Sequence, residues 1–329
     1  MNRLLPLMFV VMASAAPAVA QTTHVAVIVG LAGDPEHGEL FRRWAGTLVD
    51  AATERFGMSR DRVFYLAEDP AKDPKRATAR STREEIGRTL AAIAASAAHD
   101  DVVFVVLIGH GTFDGKIAKF NLPGPDMTPA DFGALLKAIP SRHVVFVNTA
   151  SSSGPFLAEL AGPGRTIVTA TRSGAERFAT LFGGHFIDAL TGETADVDRN
   201  RRVSVLEAFD SAKRDVARAY EQEGIMLTEH PLLDDSGDRE GSGSPTTEGK
   251  DGRVAAVVAL GTAAQADPVT DDPALRALYT ERRGLEQRVE ALKLLKASMD
   301  PARYASELER LLTDLALKTR QIKAGGGKL

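Results

Sequence analysis

Short β-branched, apolar runs alternate with amphipathic stretches between residues 24 and 222, and this alternation constrains the fold more than any other feature. Two of the runs are VVFVVLI at residues 102–108 and HVVFV at residues 143–147, and His143 is their only polar residue. Such runs are typical of strands that are buried on both faces of a parallel sheet, whose strands are joined by crossover helices. The sequence therefore predicts an α/β fold in which helices flank a mostly parallel sheet.

Six strands and five helices are expected between residues 24 and 260. The strands are predicted over residues 24–29, 63–66, 102–108, 143–147, 165–170 and 254–260, and the helices over residues 38–56, 81–97, 129–138, 179–190 and 204–222. The last helix begins with Ser204 and Glu207, which have the Ser-x-x-Glu spacing of a capping box. Residues 234–253 are polar and rich in Gly and Ser, which predicts a loop or flexible linker.

A region of different composition follows Gly261. It is rich in Leu, Ala, Arg, Lys and Glu at helical spacing, and residues 272–298 and 301–324 are predicted to form two helices separated at Asp300-Pro301. The resulting helical hairpin carries an apolar stripe that needs a partner surface, formed by Leu275, Leu278, Leu285, Val289, Leu292 and Leu295. The apolar stripe can be buried in three ways: by packing within the protein, by coiled-coil pairing, or by self-association through these helices.

The first twenty residues have the composition of a secretory signal peptide. Arg3 precedes an apolar segment that is too short to span a bilayer, and small residues follow at Ala18 and Ala20. We expect cleavage before Gln21, so the predicted regions are a signal peptide (1–20), an α/β domain (21–261) and the hairpin (262–329). No later segment is apolar enough to anchor the chain in a membrane.

Composition narrows the location of the protein and its partners. The chain of 329 residues has no cysteine, which excludes disulfides and a lipid-modified N-terminal cysteine; together with the signal peptide this indicates a periplasmic or secreted protein. The formal net charge of -4 leaves no excess of basic residues to neutralise a phosphate backbone, so nucleic acid is not an expected partner.

Two strands of the predicted sheet end in loops that carry candidate catalytic groups. Residues 102–108 lead into Gly109-His110-Gly111-Thr112, and residues 143–147 lead into a serine-rich loop that ends at Gly154. Functional groups gather at the carboxyl ends of parallel strands. A histidine followed by a free amide, and a small hydroxyl at a helix start, are therefore expected to lie close together there. Other histidines, such as His37, show no ligand spacing and are expected to be structural or surface residues.

At these residues the sequence resembles the legumain-like and caspase-like cysteine peptidases, and most of all the legumain branch. HVAVIVG resembles their first strand, IGHGTFDG resembles the turn that carries their catalytic histidine, and ASSSG stands where they have Ala-Cys-x-Ser-Gly. The resemblance covers about residues 23–260 and implies a caspase-like fold. It places His110 in the general-base position, Ser151 in the nucleophile position, and the amides of Gly111 and Ser151 in the oxyanion hole.

The sequence departs from that family at the groups on which catalysis depends. Ser151 replaces the nucleophilic cysteine, GDPEHGE at residues 33–39 replaces the family's Asn and Arg-His region, and Thr149 stands where an acidic residue is expected. The family's enzymes use a thiolate of low pKa beside an imidazolium, whereas a serine needs a well-oriented base to remove its proton. Without cysteine the chain cannot be a working cysteine peptidase, and the sequence identifies no group that would orient His110.

Three functions are compatible with these residues. The first is an inactive relative of the legumain-like peptidases that has been kept as an exported binding or scaffolding module for a protein or peptide. The second is an active hydrolase that uses Ser151 as the nucleophile and His110 as the base. The third is a calcium-binding structural protein.

The third function depends on a loop with the ligand spacing of an EF-hand, in which oxygen ligands are expected at positions 1, 3, 5, 7, 9 and 12. These positions are occupied by Asp196, Asp198, Asn200, Arg202 through its backbone carbonyl, Ser204 and Glu207. Arg201 stands at the position where such loops need glycine for a sharp turn. A polar loop that ends in the capping box of Ser204 and Glu207 is the alternative, and no other cofactor is expected.

Overall fold

The sheet is centred on strand β4 (Val102–Ile108), which is buried throughout and pairs in parallel with β1 (Thr23–Val29) on one side and β7 (His143–Asn148) on the other. The computed structural model describes residues 22–200, 202–260, 270, 272–294 and 299–327. The predicted signal peptide (1–20), Gln21 and Leu295 lie outside these residues.

Seven strands form this sheet in the described part of the chain. The other strands of the structure are β2 (Val63–Ala67), β3 (Ala79–Arg80), β5 (Gly111–Phe113), β6 (Ala118–Phe120), β8 (Arg165–Thr169) and β9 (Leu232–Asp234). The sheet order is β3-β2-β1-β4-β7-β8-β9, with β9 antiparallel to β8 and the other neighbours parallel. Strands β5 and β6 form a separate antiparallel hairpin. The predicted α/β fold with a mostly parallel sheet is therefore confirmed.

Helices cover both faces of the sheet, as crossover connections require. One face carries α1 (Pro35–Asp50), α5 (Phe182–Thr191) and α6 (Val205–Glu223). The opposite face carries α2 (Arg83–Ser96), α3 (Pro129–Leu136) and α4 (Gly154–Leu160). The strands alternate between the two cores, and in β1 the side chains of Val25 and Val27 contribute to the first core while those of Ala26 and Ile28 contribute to the second.

The predicted strand over residues 254–260 is wrong. The backbone turns back on itself there, since Ala256 N donates to Gly252 O at 2.9 Å, and a single bridge between Ala259 and Ser204 is the sheet-like contact of this stretch. The cause is the Asp235 carboxylate, which accepts from the backbone N–H groups of Gly252 at 2.8 Å and Ala255 at 2.7 Å and so winds the apolar residues into turns. The short strand β9 takes the place beside β8 instead.

Residues 234–253, predicted to be a loop or flexible linker, form a loop that is hydrogen-bonded to the α/β body. The buried Asp234 carboxylate accepts from Gly237 N at 2.7 Å and Arg239 N at 2.9 Å, and Leu233 exchanges backbone hydrogen bonds with Ser242. Carboxylates thus satisfy backbone donors that no strand or helix satisfies in this loop.

The helical hairpin consists of α7 (Pro273–Leu294) and α8 (Pro301–Ala324). Asp300 caps α8 by accepting from Arg303 N at 2.9 Å, and the proline that follows it occupies the first helical turn, where its missing N–H has no cost. The predicted apolar stripe of α7 packs against α8 in two clusters, one with Leu311 and one with Ile322. None of the described helices combines the length and apolarity needed to cross a bilayer.

His143, at the start of β7, is a buried histidine at the amino-terminal edge of the sheet. Only 9% of the residue is exposed, and neither ring nitrogen has a hydrogen-bond partner among the residues that the structure describes. Burial, and after it the charge of Arg142, lowers the pKa of His143 from 6.5 to about 4. The folded protein therefore keeps this ring neutral over a pH range in which the unfolded chain protonates it.

We predict that replacing His143 with Phe makes folding less sensitive to acid. As the pH falls from 6.5 towards 4, the unfolded wild-type chain binds a proton at this residue and the folded protein does not, so about 3 kcal/mol of stability is lost across that window. Urea denaturation at pH 7 and pH 4 measures this loss, which should be smaller by about that amount in His143→Phe. An equal loss in the wild type and in His143→Phe contradicts the prediction.

Candidate functional site

The carboxyl ends of β4 and β7 bring the two predicted site loops together. The strands are in register up to the pair Leu107 and Asn148. Thr149 then bonds back to the Leu107 carbonyl twice, through its N–H at 3.0 Å and its hydroxyl at 2.8 Å. The loops that carry His110 and Ser151 therefore leave the sheet side by side, as the sequence predicts.

The hydroxyl of Ser151 is bonded to the backbone of Gly111 in both directions. Ser151 Oγ accepts from Gly111 N at 3.2 Å and donates to Gly111 O at 3.1 Å. Ser151 is only 3% exposed. A Cβ on residue 111 would lie 2.3 Å from the Ser151 carbonyl oxygen, so this approach requires glycine at that position. We call this arrangement the Ser151–Gly111 pair.

The His110 ring is directed to a different partner. Its Nε2 lies 3.1 Å from the carbonyl oxygen of Ala32, which can only accept, so Nε2 carries the proton. The ring contacts those of His37 and Phe41, with centroids at 4.8 and 5.2 Å. Burial, followed by the charge of His37, lowers the pKa of His110, so the neutral imidazole is favoured. In the described part of the chain, no hydrogen bond joins this ring to Ser151.

The sequence did not predict that His37, held by Asp34, lies beside His110. Asp34 caps α1 by accepting from His37 N at 2.9 Å, and its second oxygen lies 2.7 Å from His37 Nδ1. These residues belong to the GDPEHGE stretch at 33–39, where the sequence departs from the peptidase pattern. The Asp-Pro-Glu start of α1 can be recognised in the sequence. The contact of His37 with His110 cannot, because it depends on how the ends of β1 and β4 are placed relative to each other.

The other two serines of the loop are also bonded to neighbouring backbone. Ser152 has a φ of 55°, a left-handed conformation that costs a non-glycine residue about 1 kcal/mol. Its N–H donates to Glu176 O at 2.7 Å and its hydroxyl to Gly174 O at 3.0 Å. Ser153 Oγ accepts from Thr171 N at 3.1 Å. These bonds fasten the serine-rich loop to the loop after β8.

The calcium-like loop brings three of its predicted ligands together. Carboxylate oxygens of Asp196, Asp198 and Glu207 lie within 4.8 Å of one another. Burial, followed by the charge of Glu207, raises the pKa of Asp198. These three side chains are the ones that would hold a divalent cation, because their negative charges are crowded and a hard cation prefers carboxylate oxygen.

The remaining predicted ligands are engaged within the loop itself. Asn200 donates its backbone N–H to Asp196 Oδ1 at 3.0 Å and its side-chain N–H to Asp198 Oδ2 at 2.8 Å, while its side-chain oxygen Oδ1 accepts from Arg202 N at 2.8 Å. Ser204 and Glu207 form the predicted capping box of α6.

Neither a protein-family model nor a curated protein sequence matches this chain.

Proposed function

We propose that this chain is an exported, catalytically inactive relative of the legumain-like and caspase-like cysteine peptidases, and that it serves as a binding or scaffolding module for a protein or peptide. Three features support the relation: the order of the motifs, the mostly parallel sheet, and the position of His110 and Ser151 at the ends of the adjacent strands β4 and β7. Export follows from the signal-like residues 1–20, and periplasmic or secreted location from them and the lack of cysteine.

The Ser151–Gly111 pair is the observation that carries the proposed lack of activity. The Ser151 proton is donated to the Gly111 carbonyl and not to a base, and the Gly111 amide, which the resemblance assigns to the oxyanion hole, is occupied by Ser151 Oγ. An oxyanion hole works only when its donors face the developing negative charge. Nucleophilic attack would require both bonds to break and the Ser151 hydroxyl to reach Nδ1 of His110, the nitrogen that the bond from Nε2 to the Ala32 carbonyl leaves unprotonated.

We predict that the mature protein does not react with a fluorophosphonate probe, because no base holds the Ser151 proton. Labelling followed by mass spectrometry measures this, with an active serine hydrolase as the positive control and His110→Ala and Ser151→Ala as matched variants. Ser151→Cys should also fail to cleave peptides, since the side chain of residue 151 faces the Gly111 backbone and not the His110 ring. Labelling at Ser151 that is lost in both alanine variants would establish the active hydrolase instead.

A second candidate function, calcium binding, is favoured by the carboxylate cluster of Asp196, Asp198 and Glu207. A divalent cation there would relieve the repulsion among the three charges and fix the loop that leads into α6. The ion would be a structural element, because the loop is placed in the chain before α6 and not among the residues at the ends of β4 and β7.

We predict that calorimetric titration with calcium chloride shows uptake of one ion, with a Kd of about 1 mM or tighter. Asp198→Asn should abolish uptake, because it removes one of the three charges and leaves the capping box of α6 intact. The control Asp215→Asn removes a carboxylate of α6 that pairs with Arg218 outside this cluster, and should bind as the wild type does. Absence of heat at millimolar calcium removes this function.

A further inference from the structure

A cavity of about 450 Å³ lies between α6 and the segment at residues 227–232. This volume is in the range of small-molecule and peptide side-chain pockets. Its walls are mostly apolar, and the apolar lining residues are Val216, Ala217, Leu227, Pro231 and Leu232. The cavity is separate from the Ser151–Gly111 pair, neither residue of which lines it.

Three cationic side chains also line the cavity. Arg172 pairs with Glu176 at 3.0 Å, and Lys213 donates to the carbonyl of Gly243. Arg214 is exposed and has no carboxylate of the described residues within 4.0 Å. Of the three, its guanidinium is therefore the cation that can bind a ligand's carboxylate without first giving up a salt bridge or a hydrogen bond to another described residue.

Two carboxylates line the cavity, and Glu229 does not compete for that arginine. Glu229 is 2% exposed, and its two oxygens accept from Leu181 N at 2.8 Å and Phe182 N at 3.0 Å at the start of α5. Asp210 lies one helical turn before Arg214; burial raises its pKa, and the charges of Arg214 and Lys213 act in the opposite direction. The lining therefore has three cationic side chains and two carboxylates, and one of the carboxylates, Glu229, is hydrogen-bonded to the start of α5.

Apolar side chains continue from the cavity to the surface. Met226 and Ile225, directly before the lining residue Leu227, are 84% and 53% exposed. Phe178, 71% exposed, lies on the loop that bonds to this segment through Glu176 and His230, whose Oε1 and Nδ1 are 2.7 Å apart. Exposed apolar residues on two joined loops beside a cavity are typical of a binding surface.

We propose that this cavity binds the carboxyl-terminal end of an apolar peptide, with its last side chains between α6 and residues 227–232 and its α-carboxylate on Arg214. A chain end fits because it presents a carboxylate directly beside apolar side chains, which is the combination that the lining offers. The site does not depend on whether Ser151 is catalytic, so it stands or falls separately from the proposed loss of peptidase activity.

Fluorescence polarisation tests this with the mature protein and the N-terminally fluorescein-labelled peptide Leu-Phe-Leu-Leu, as the free acid and as the C-terminal amide. We expect saturable binding of the acid with a Kd below about 1 mM, and binding of the amide that is weaker by about tenfold. Arg214→Gln should weaken binding of the acid about tenfold and leave the amide unchanged. Ala217→Trp, which fills the cavity from an exposed position of α6, should abolish binding of both peptides.

Arg218→Gln is the matched control, since this arginine lies one turn further along α6, pairs with Asp215, and does not line the cavity. It should bind both peptides as the wild type does, and circular dichroism should show all three variants folded. The proposal is overturned by equal affinity for acid and amide, by equal weakening in Arg214→Gln and Arg218→Gln, or by no binding of the acid at 1 mM peptide. Binding of decanoate without binding of either peptide would assign the cavity to a lipid-like acid and also overturn it.

Discussion

The two hydrogen bonds between the Ser151 hydroxyl and the Gly111 backbone hold together the loops that follow the central strands of the sheet. Their geometry follows from the register of β4 and β7, which are buried throughout and end at the same edge. Since residue 111 has no Cβ, the Ser151 carbonyl can approach its backbone closely. The serine-rich loop is fastened on its other side by Ser152 and Ser153, so a strained backbone at Ser152 is held in place by bonds from both neighbours.

The hydroxyl of Ser151 bears both on the proposed lack of activity and on the stability of the two site loops. A hydroxyl donates and accepts well, so it satisfies both the N–H and the carbonyl of Gly111, whereas a thiol is a weak donor and a weak acceptor. Ser151, which the proposed relation puts in the place of a nucleophilic cysteine, therefore also stabilises the contact between the two loops. His110 completes this arrangement by bonding to Ala32, where it supports the turn after β1 and has no hydroxyl to deprotonate.

The strands that are apolar throughout were predictable to within one residue, because burial on both faces leaves a continuous signal in β1, β4 and β7. Residues 254–260 carry a similar apolar signal but form turns, in which Ala255 N donates to the carboxylate of Asp235, distant in sequence, and Val258 N donates to Val254 O. The proximity of His110 and Ser151 was predictable from strand order. The direction of their hydrogen bonds and the neighbour His37 were not, because these depend on the placement of loops from three different strands.

The free energy of unfolding of Ser151→Ala, measured by urea denaturation beside the wild type, tests most directly whether this hydroxyl is structural. The pair predicts a loss of about 1–2 kcal/mol, because the N–H and carbonyl of Gly111 both lose their partner. The control Ser96→Ala, at an exposed serine that bonds to its own helix, should change stability by less than about 0.5 kcal/mol. Unchanged or increased stability of Ser151→Ala is the result expected of a residue kept for catalysis, and it would contradict this account.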